Sequence, residues 1–181
     1  LAPKTSDDQP GLLYEGKDYA GLGAAADSVL LMTYEWGHAY SPPMAVAPVD
    51  QVRRVVEYAV SRIDPAKINL GIPNYGYDWT LPFSEGAPRA RTIGNIEAVQ
   101  QAVEKGAEIY FDETAQAPYY FYVEDGVTHE VWFEDVRSIS SKFALIEEFG
   151  LLGAGYWQLM RLFRANWILA AETFHIEGSS M

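Results

Sequence analysis

An α/β fold, with parallel strands joined by helical crossovers, is predicted by three observations along the 181 residues. Apolar runs of strand length recur at Ser28 to Tyr34, Lys67 to Ile72 and Gly153 to Leu159. The first and last of these lead into segments whose apolar residues repeat at helical spacing. All three runs end in aromatic and polar side chains, LLMTYEWG, INLGIPNYGYDW and GAGYWQLMR.

Taken in order, Ser28 to Tyr34 is nearly all apolar, which predicts a strand buried on both faces. In PVDQVRRVVEYAVSRIDP, residues Val52, Val55, Val56, Ala59, Val60 and Ile63 fall on one helical face, with Asp50 as cap and Pro65 as stop. The second strand runs into the turn-rich PNYGYDW. From about Ala87 to Ser140 the character changes. Ile93 to Lys105 reads as a helix ended by Gly106, and AEIYFDE, APYYFYVEDG and THEVWFED read as short antiparallel strands. The last two join at Asp125-Gly126, a strong hairpin signal. A helix from Ile139 to Phe149 returns the chain to the last strand, and Asn166 to Phe174 forms the final helix. The expected organisation is thus a framework over residues 1–86, an α+β insertion over 87–140, and a return to the framework over 141–181.

A formal net charge of -12 gives no reason to approach nucleic acid or anionic lipid, both of which select clustered Lys and Arg. No run approaches the roughly 18 apolar residues of a membrane span. The opening LAPKTSDDQPG carries neither an apolar signal segment nor an initiator Met, as expected of a piece cut from a longer chain. With no cysteine, disulfides and thiolate metal sites are excluded. His38, His129 and His175 lack metal-ligand spacing and are expected in turns or in solvent; Gly71, Gly76, Gly153 and Gly155 make no phosphate loop. Neither metal nor cofactor is predicted, and a nucleotide or sugar-phosphate enzyme is disfavoured because no basic or glycine-rich anion site is present.

In parallel α/β folds, ligands meet the carboxyl ends of the strands. Here those ends carry Tyr34 and Glu35, then Asn74, Tyr75, Tyr77, Asp78 and Trp79, then Trp157 and Gln158. Rings that cover sugar C–H faces, beside carboxylates and amides that satisfy hydroxyls, predict a carbohydrate cleft. Taken singly, each residue has a plainer use: aromatics fill core edges, Glu35 pairs with an arginine, Asp78 caps a turn, and Met32 packs in the core. Three coincident strand ends favour the cleft. Trp132, Glu134 and Asp135 either wall it or, for Asp135, cap the helix that follows.

At these strand ends the sequence resembles the family 18 glycoside hydrolases. LLMTYEWG is similar to the sixth barrel strand with its M-x-Y-D pattern, NLGIPNYGYDW to the seventh, and AGYWQL to the eighth. MTYEWG, GIPNYGYDW and HEVWFEDVRS together resemble the spore germination and cortex-lytic subgroup, which acts on N-acetylglucosamine linkages in spore peptidoglycan. The resemblance implies the second half of a TIM (β/α)8 barrel, about strands 6 to 8, with a small α+β insertion before the last strand. It also implies substrate-assisted catalysis, in which the sugar's own acetamido oxygen attacks the anomeric carbon. Tyr34 would hold that oxygen, Trp157 would floor the subsite, and Met32, Glu35, Asn74, Tyr75, Trp79, Trp132 and Glu134 would contact the substrate. Glu35 stands in place of the more usual Asp, and Tyr77 where many chitinases have Arg.

The family's D-x-x-D-x-D-x-E strand, whose last Glu donates the proton, occurs nowhere in the 181 residues. Leu1 to Lys4 resembles the end of the fifth strand, so the expected molecule is a half-barrel, inactive alone, and prone to pair as a homodimer through its exposed edges. A non-catalytic, lectin-like member of the same family is the alternative. An extracytoplasmic or spore-associated bacterial location follows from the resemblance alone.

Overall fold

The computed structural model describes residues 1–86 and 88–176, so the expected boundary at residue 87 itself lies outside the described residues. Helix α1 (Tyr19–Ala25) precedes strand β1 (Val29–Leu31), helix α2 (Val49–Val60) and strands β2 (Ile68–Pro73), β3 (Tyr75–Thr80) and β4 (Arg91–Gly94). Helix α3 (Asn95–Glu104) is followed by β5 (Tyr110–Asp112), β6 (Ala117–Glu124) and β7 (Val127–Trp132). Helix α4 (Val136–Phe149), β8 (Gly153–Trp157) and α5 (Arg164–Thr173) complete the order.

Strands β1, β2 and β8 form a parallel sheet in that order, as the strand-helix alternation requires. One face is closed by helices: Leu31, Ile68, Leu70 and Ile72 pack against Val52, Val55 and Val56 of α2 and Ile139, Phe143 and Ile146 of α4. The other face is not. Leu30 and Met32 are 36% and 41% exposed, which corrects the expectation of a strand buried on both faces. Leu30 instead lies over Gly155 of β8. Alongside β1, the Met32 amide donates to the Leu1 carbonyl at 2.9 Å, so the first residues extend that edge.

Pro48 occupies the N-cap of α2, and Asp50 sits in its first turn. The expected cap is thereby corrected, although a carboxylate there still complements the helix dipole. The helix stops before Pro65, which opens a short 3-10 turn capped by Asp64.

PNYGYDW is not a turn. Tyr75–Thr80 forms the strand between β4 and β7 in a five-stranded antiparallel sheet ordered β4-β3-β7-β6-β5. The Pro, Asn and Gly content disguises a strand period that puts Tyr75, Tyr77 and Trp79 on one face and Asp78 on the other. Gly76 is needed for close approach, since a Cβ there would lie 2.0 Å from the Trp132 carbonyl oxygen. This sheet therefore reaches back to residues that precede 87. Helix α3 begins at Asn95 rather than Ile93 because Arg91–Gly94 is strand, and its Ala98 and Ala102 pack on Tyr120, Tyr122 and Val131. At the β6–β7 hairpin both Asp125 and Gly126 have positive φ, 50° and 77°, as a type I′ turn demands. Asp135 caps α4, accepting from the Arg137 and Ser138 amides.

Candidate active site

Beyond the end of β1 the chain turns sharply, and Glu35 takes a φ of 70° in the left-handed region. For a non-glycine residue that conformation costs about 1–2 kcal/mol. It directs the carboxylate towards β3, where Glu35 Oε1 accepts from the Tyr75 hydroxyl at 2.5 Å and the Tyr77 hydroxyl at 2.9 Å. The parallel sheet thus meets the antiparallel sheet across one carboxylate. From β8, Pro73 and Trp157 are in register, and the Asn74 amide donates to the Trp157 carbonyl at 2.8 Å, bringing the Trp157 indole to the same end.

Tyr34, Glu35, Tyr75, Tyr77, Trp157 and Gln158 line one cavity of about 360 Å³, together with Arg89 and Thr92. The Tyr34 ring reaches over β2 only because residue 71 is glycine: a Cβ there would lie 2.3 Å from the Leu31 carbonyl oxygen and 2.8 Å from Tyr34 Cε1. Trp157 is 56% exposed and offers an indole face to solvent. Burial, and then the bond to Glu35, push the Tyr75 and Tyr77 hydroxyls well above the ordinary tyrosine value. The Tyr34 hydroxyl is raised by burial and then by the Glu35 charge. All three are neutral donors at physiological pH, arranged around one carboxylate and one aromatic platform. Such a site can hold a sugar ring, satisfy its hydroxyls and donate to a carbonyl oxygen.

Four expected site residues, Tyr34, Glu35, Tyr75 and Trp157, therefore converge. Met32 is not core; it lines an adjoining cavity of about 410 Å³ that shares Tyr34 and Glu35. Trp132 faces Tyr77 across the β3–β7 pair, is half-buried, and stacks on Tyr119 at 4.6 Å. It braces the wall beside the cavity. Asn74, Trp79 and Glu134 are sealed from solvent, at 0%, 2% and 1% exposure, which corrects their expected contact with substrate. Trp79 donates its indole N–H to the Ser41 carbonyl at 2.8 Å, tying β3 to the loop after β1. Glu134 turns inward, where its Oε2 accepts from Lys142 Nζ at 2.9 Å and Ser138 Oγ at 2.6 Å. Asn95 Oδ1 holds the Glu134 amide at 3.0 Å.

Asp78 is no turn cap, and His129 is not solvated. On the far face of the sheet, Asp78 bonds His129 Nδ1 at 2.9 Å, the Tyr122 hydroxyl at 2.8 Å and Arg91 at 3.2 Å. Arg89 and Thr92 escaped the sequence reading. Thr92 enters because it pairs with Tyr77 in the β3–β4 register, information that no local pattern carries. Among the described residues no three His, Cys, Asp or Glu side chains converge as metal ligands, and no helix is long and apolar enough to cross a membrane.

The chain is 47% identical over 177 residues to the cortical fragment-lytic enzyme of Bacillus subtilis, covering 97% of this chain and 41% of that protein. Its fold superposes on the crystal structure of the Bacillus cereus spore cortex-lytic enzyme SleL with a TM-score of 0.95 at 46% identity, covering 98% of this chain and 41% of that one. The C-terminal domain of a putative chitinase from Desulfitobacterium hafniense gives a TM-score of 0.86 at 28% identity, covering 96% and 53%. The chain thus spans less than half the length of the two spore proteins. Residues 1–161 match the family model for glycosyl hydrolases family 18, and with the strand-end tyrosines and tryptophan in one cavity, the chain belongs to that family.

Proposed function

We propose that this chain is the carboxyl-terminal part of a glycoside hydrolase that cleaves β-linked N-acetylglucosamine polymers, with spore cortex peptidoglycan as substrate. The convergence of Tyr34, Glu35, Tyr75 and Trp157 from three strand ends carries the reading. The names of the spore relatives, cortical fragment-lytic and cortex-lytic, support the substrate. In this reading β1, β2 and β8 are the sixth to eighth strands of a (β/α)8 barrel, and residues 87–140 form most of the insertion.

The chemistry follows from the groups present. Trp157 stacks under the sugar whose acetamido oxygen attacks C1 as the glycosidic C–O bond breaks, giving a cyclic oxazolinium ion; water then attacks C1 and displaces the acetamido oxygen, with net retention. Tyr34, neutral and facing the cavity, donates to the acetamido oxygen and keeps it in line. Glu35, fixed by two tyrosines, accepts from sugar hydroxyls. The acid that protonates the leaving oxygen lies outside these 181 residues. The chain alone is therefore inactive, since general acid catalysis is worth about 10²- to 10⁴-fold.

The test is release of reducing ends from peptide-free cortex glycan by the full-length protein. Tyr34→Phe is expected to lower kcat about 10²- to 10³-fold, as loss of one preorganised donor does, with little change in KM. Unchanged kcat refutes the role. A lectin-like member of the same family predicts instead glycan binding by the full-length protein with no release at all.

Beyond β8, its outer edge and an apolar cavity of about 580 Å³ bordered by Tyr156, Trp167 and Phe174 await a covering surface. In this reading the rest of the same domain covers them. A second copy is the other occupant, and a compact monomer by light scattering would exclude it.

A further inference from the structure

One charged group in the cavity has no part in the chemistry above. Arg89 lines it beside Tyr77 and Trp157, yet makes no ion pair among the described residues, in a protein with 25 acidic side chains. The contrast with Arg91, two residues on, is direct: Arg91 is held by both Asp78 and Glu97. Arg89 is nonetheless placed. The Ala90 amide donates to the Ala39 carbonyl at 2.8 Å, pinning this segment against the loop after β1, and the Arg89 guanidinium sits 6.0 Å from the centre of the Tyr40 ring. Its charge also reaches the Tyr77 hydroxyl, where it works against the upward push of burial and Glu35.

We propose that Arg89 is a specificity-determining residue that binds the 3-O-lactyl carbonyl oxygens of a peptidoglycan glycan, a group that chitin lacks. The inference rests on the saccharide reading of the cavity and deepens it. A guanidinium presents a planar fork of donors that suits a carboxylate or an amide carbonyl better than a hydroxyl. Tyr34, Tyr75, Tyr77 and Glu35 already provide for hydroxyls and the acetamido group. Beside the neutral Thr92 and Gln158, Arg89 is the one cation among the described residues that line the cavity, suited to an acceptor on the sugar's substituent rather than on its ring. Without it, the Glu35 carboxylate and the overall charge of -12 would disfavour a glycan bearing carboxylates.

Calorimetric titration of the full chain with three tetrasaccharides tests this. The probes are chitotetraose, the peptide-free N-acetylglucosamine–N-acetylmuramic acid tetramer as free acid, and the same tetramer as its carboxamide. Wild type is expected to bind both lactyl-bearing glycans roughly three- to tenfold tighter than chitotetraose, the range of one charge-assisted hydrogen-bonded contact at a half-open site. Arg89→Gln should bring them to the chitotetraose level while leaving chitotetraose itself unchanged, and Arg89→Lys should restore part of the preference. A larger advantage for the free acid that shrinks with added salt assigns the contact to charge; equal advantage for the carboxamide assigns it to the carbonyl, and either supports the role. Equal binding of all three glycans, or a preference that survives Arg89→Gln, overturns the inference and leaves the saccharide reading standing. Binding of none of them overturns both.

Discussion

Replacing Lys142 with methionine leaves the Glu134 carboxylate alone where solvent is shut out. In the native protein both charged side chains are 0% exposed, their N···O separation is 2.9 Å, and Glu134 Oε1 has no partner among the described residues. Burial already pushes the Glu134 carboxyl above its ordinary value, against the pull of Lys142 and Ser138. Stripped of the ammonium, a buried carboxylate is worth several kcal/mol of destabilisation, so the group takes up a proton instead. Keeping a carboxyl with an ordinary value of 4.5 neutral near pH 7 costs about 3.4 kcal/mol, at about 1.36 kcal/mol per pH unit. Near pH 5 the same operation costs only about 0.7 kcal/mol. The folded variant binds a proton that the unfolded chain releases above 4.5, so its stability falls as pH rises. Urea unfolding of wild type and Lys142→Met at the two pH values should therefore show a loss of about 3 kcal/mol near neutrality, shrinking to about 1 kcal/mol or less in mild acid. Adding Glu134→Gln to Lys142→Met should abolish the pH dependence and recover much of the loss. A loss that is the same at both pH values, or below about 1 kcal/mol at neutrality, would refute the argument.

Two further outcomes are expected. Burial pushes the Tyr19 hydroxyl up to about 12, and burial with neighbouring acidic groups carries Tyr75, Tyr77, Tyr120 and Tyr122 higher still. These five should stay protonated in an ultraviolet titration until the protein unfolds, and stability should fall above about pH 10, where the unfolded tyrosines ionise and the folded ones do not; smooth reversible ionisation of all 12 tyrosines at the ordinary value would contradict this. At the β6–β7 turn, Gly126→Ala should cost about 1–2 kcal/mol by urea unfolding, because Gly126 has a φ of 77°. An unchanged midpoint would mean that the turn relaxes freely.

The strand ends were legible because three separate apolar runs terminate in aromatic and polar side chains such as Tyr34-Glu35 and Trp157-Gln158, a coincidence that the plainer use of each residue singly does not require. β3 was less so: Pro73, Asn74 and Gly76 favour a turn locally, and the pairing with β4 and β7 that overrides them is non-local. The same limit hid the fates of Trp79 and Glu134. Period shows which face a side chain takes, but the Ser41 carbonyl over Trp79 and the Lys142 ammonium beside Glu134 come from elements 38 and 8 residues away in sequence. Arg89 was invisible for a related reason, since it reaches the cavity from a segment without regular structure.

The left-handed turn at Glu35 sets backbone ease against recognition. Glycine or asparagine would relieve about 1–2 kcal/mol of backbone strain there, yet either would take away the acceptor that the two buried tyrosine hydroxyls share, at about 1–3 kcal/mol for each donor left without a partner. A descendant bearing either change would have the easier backbone and would lose the anion proposed to meet the sugar.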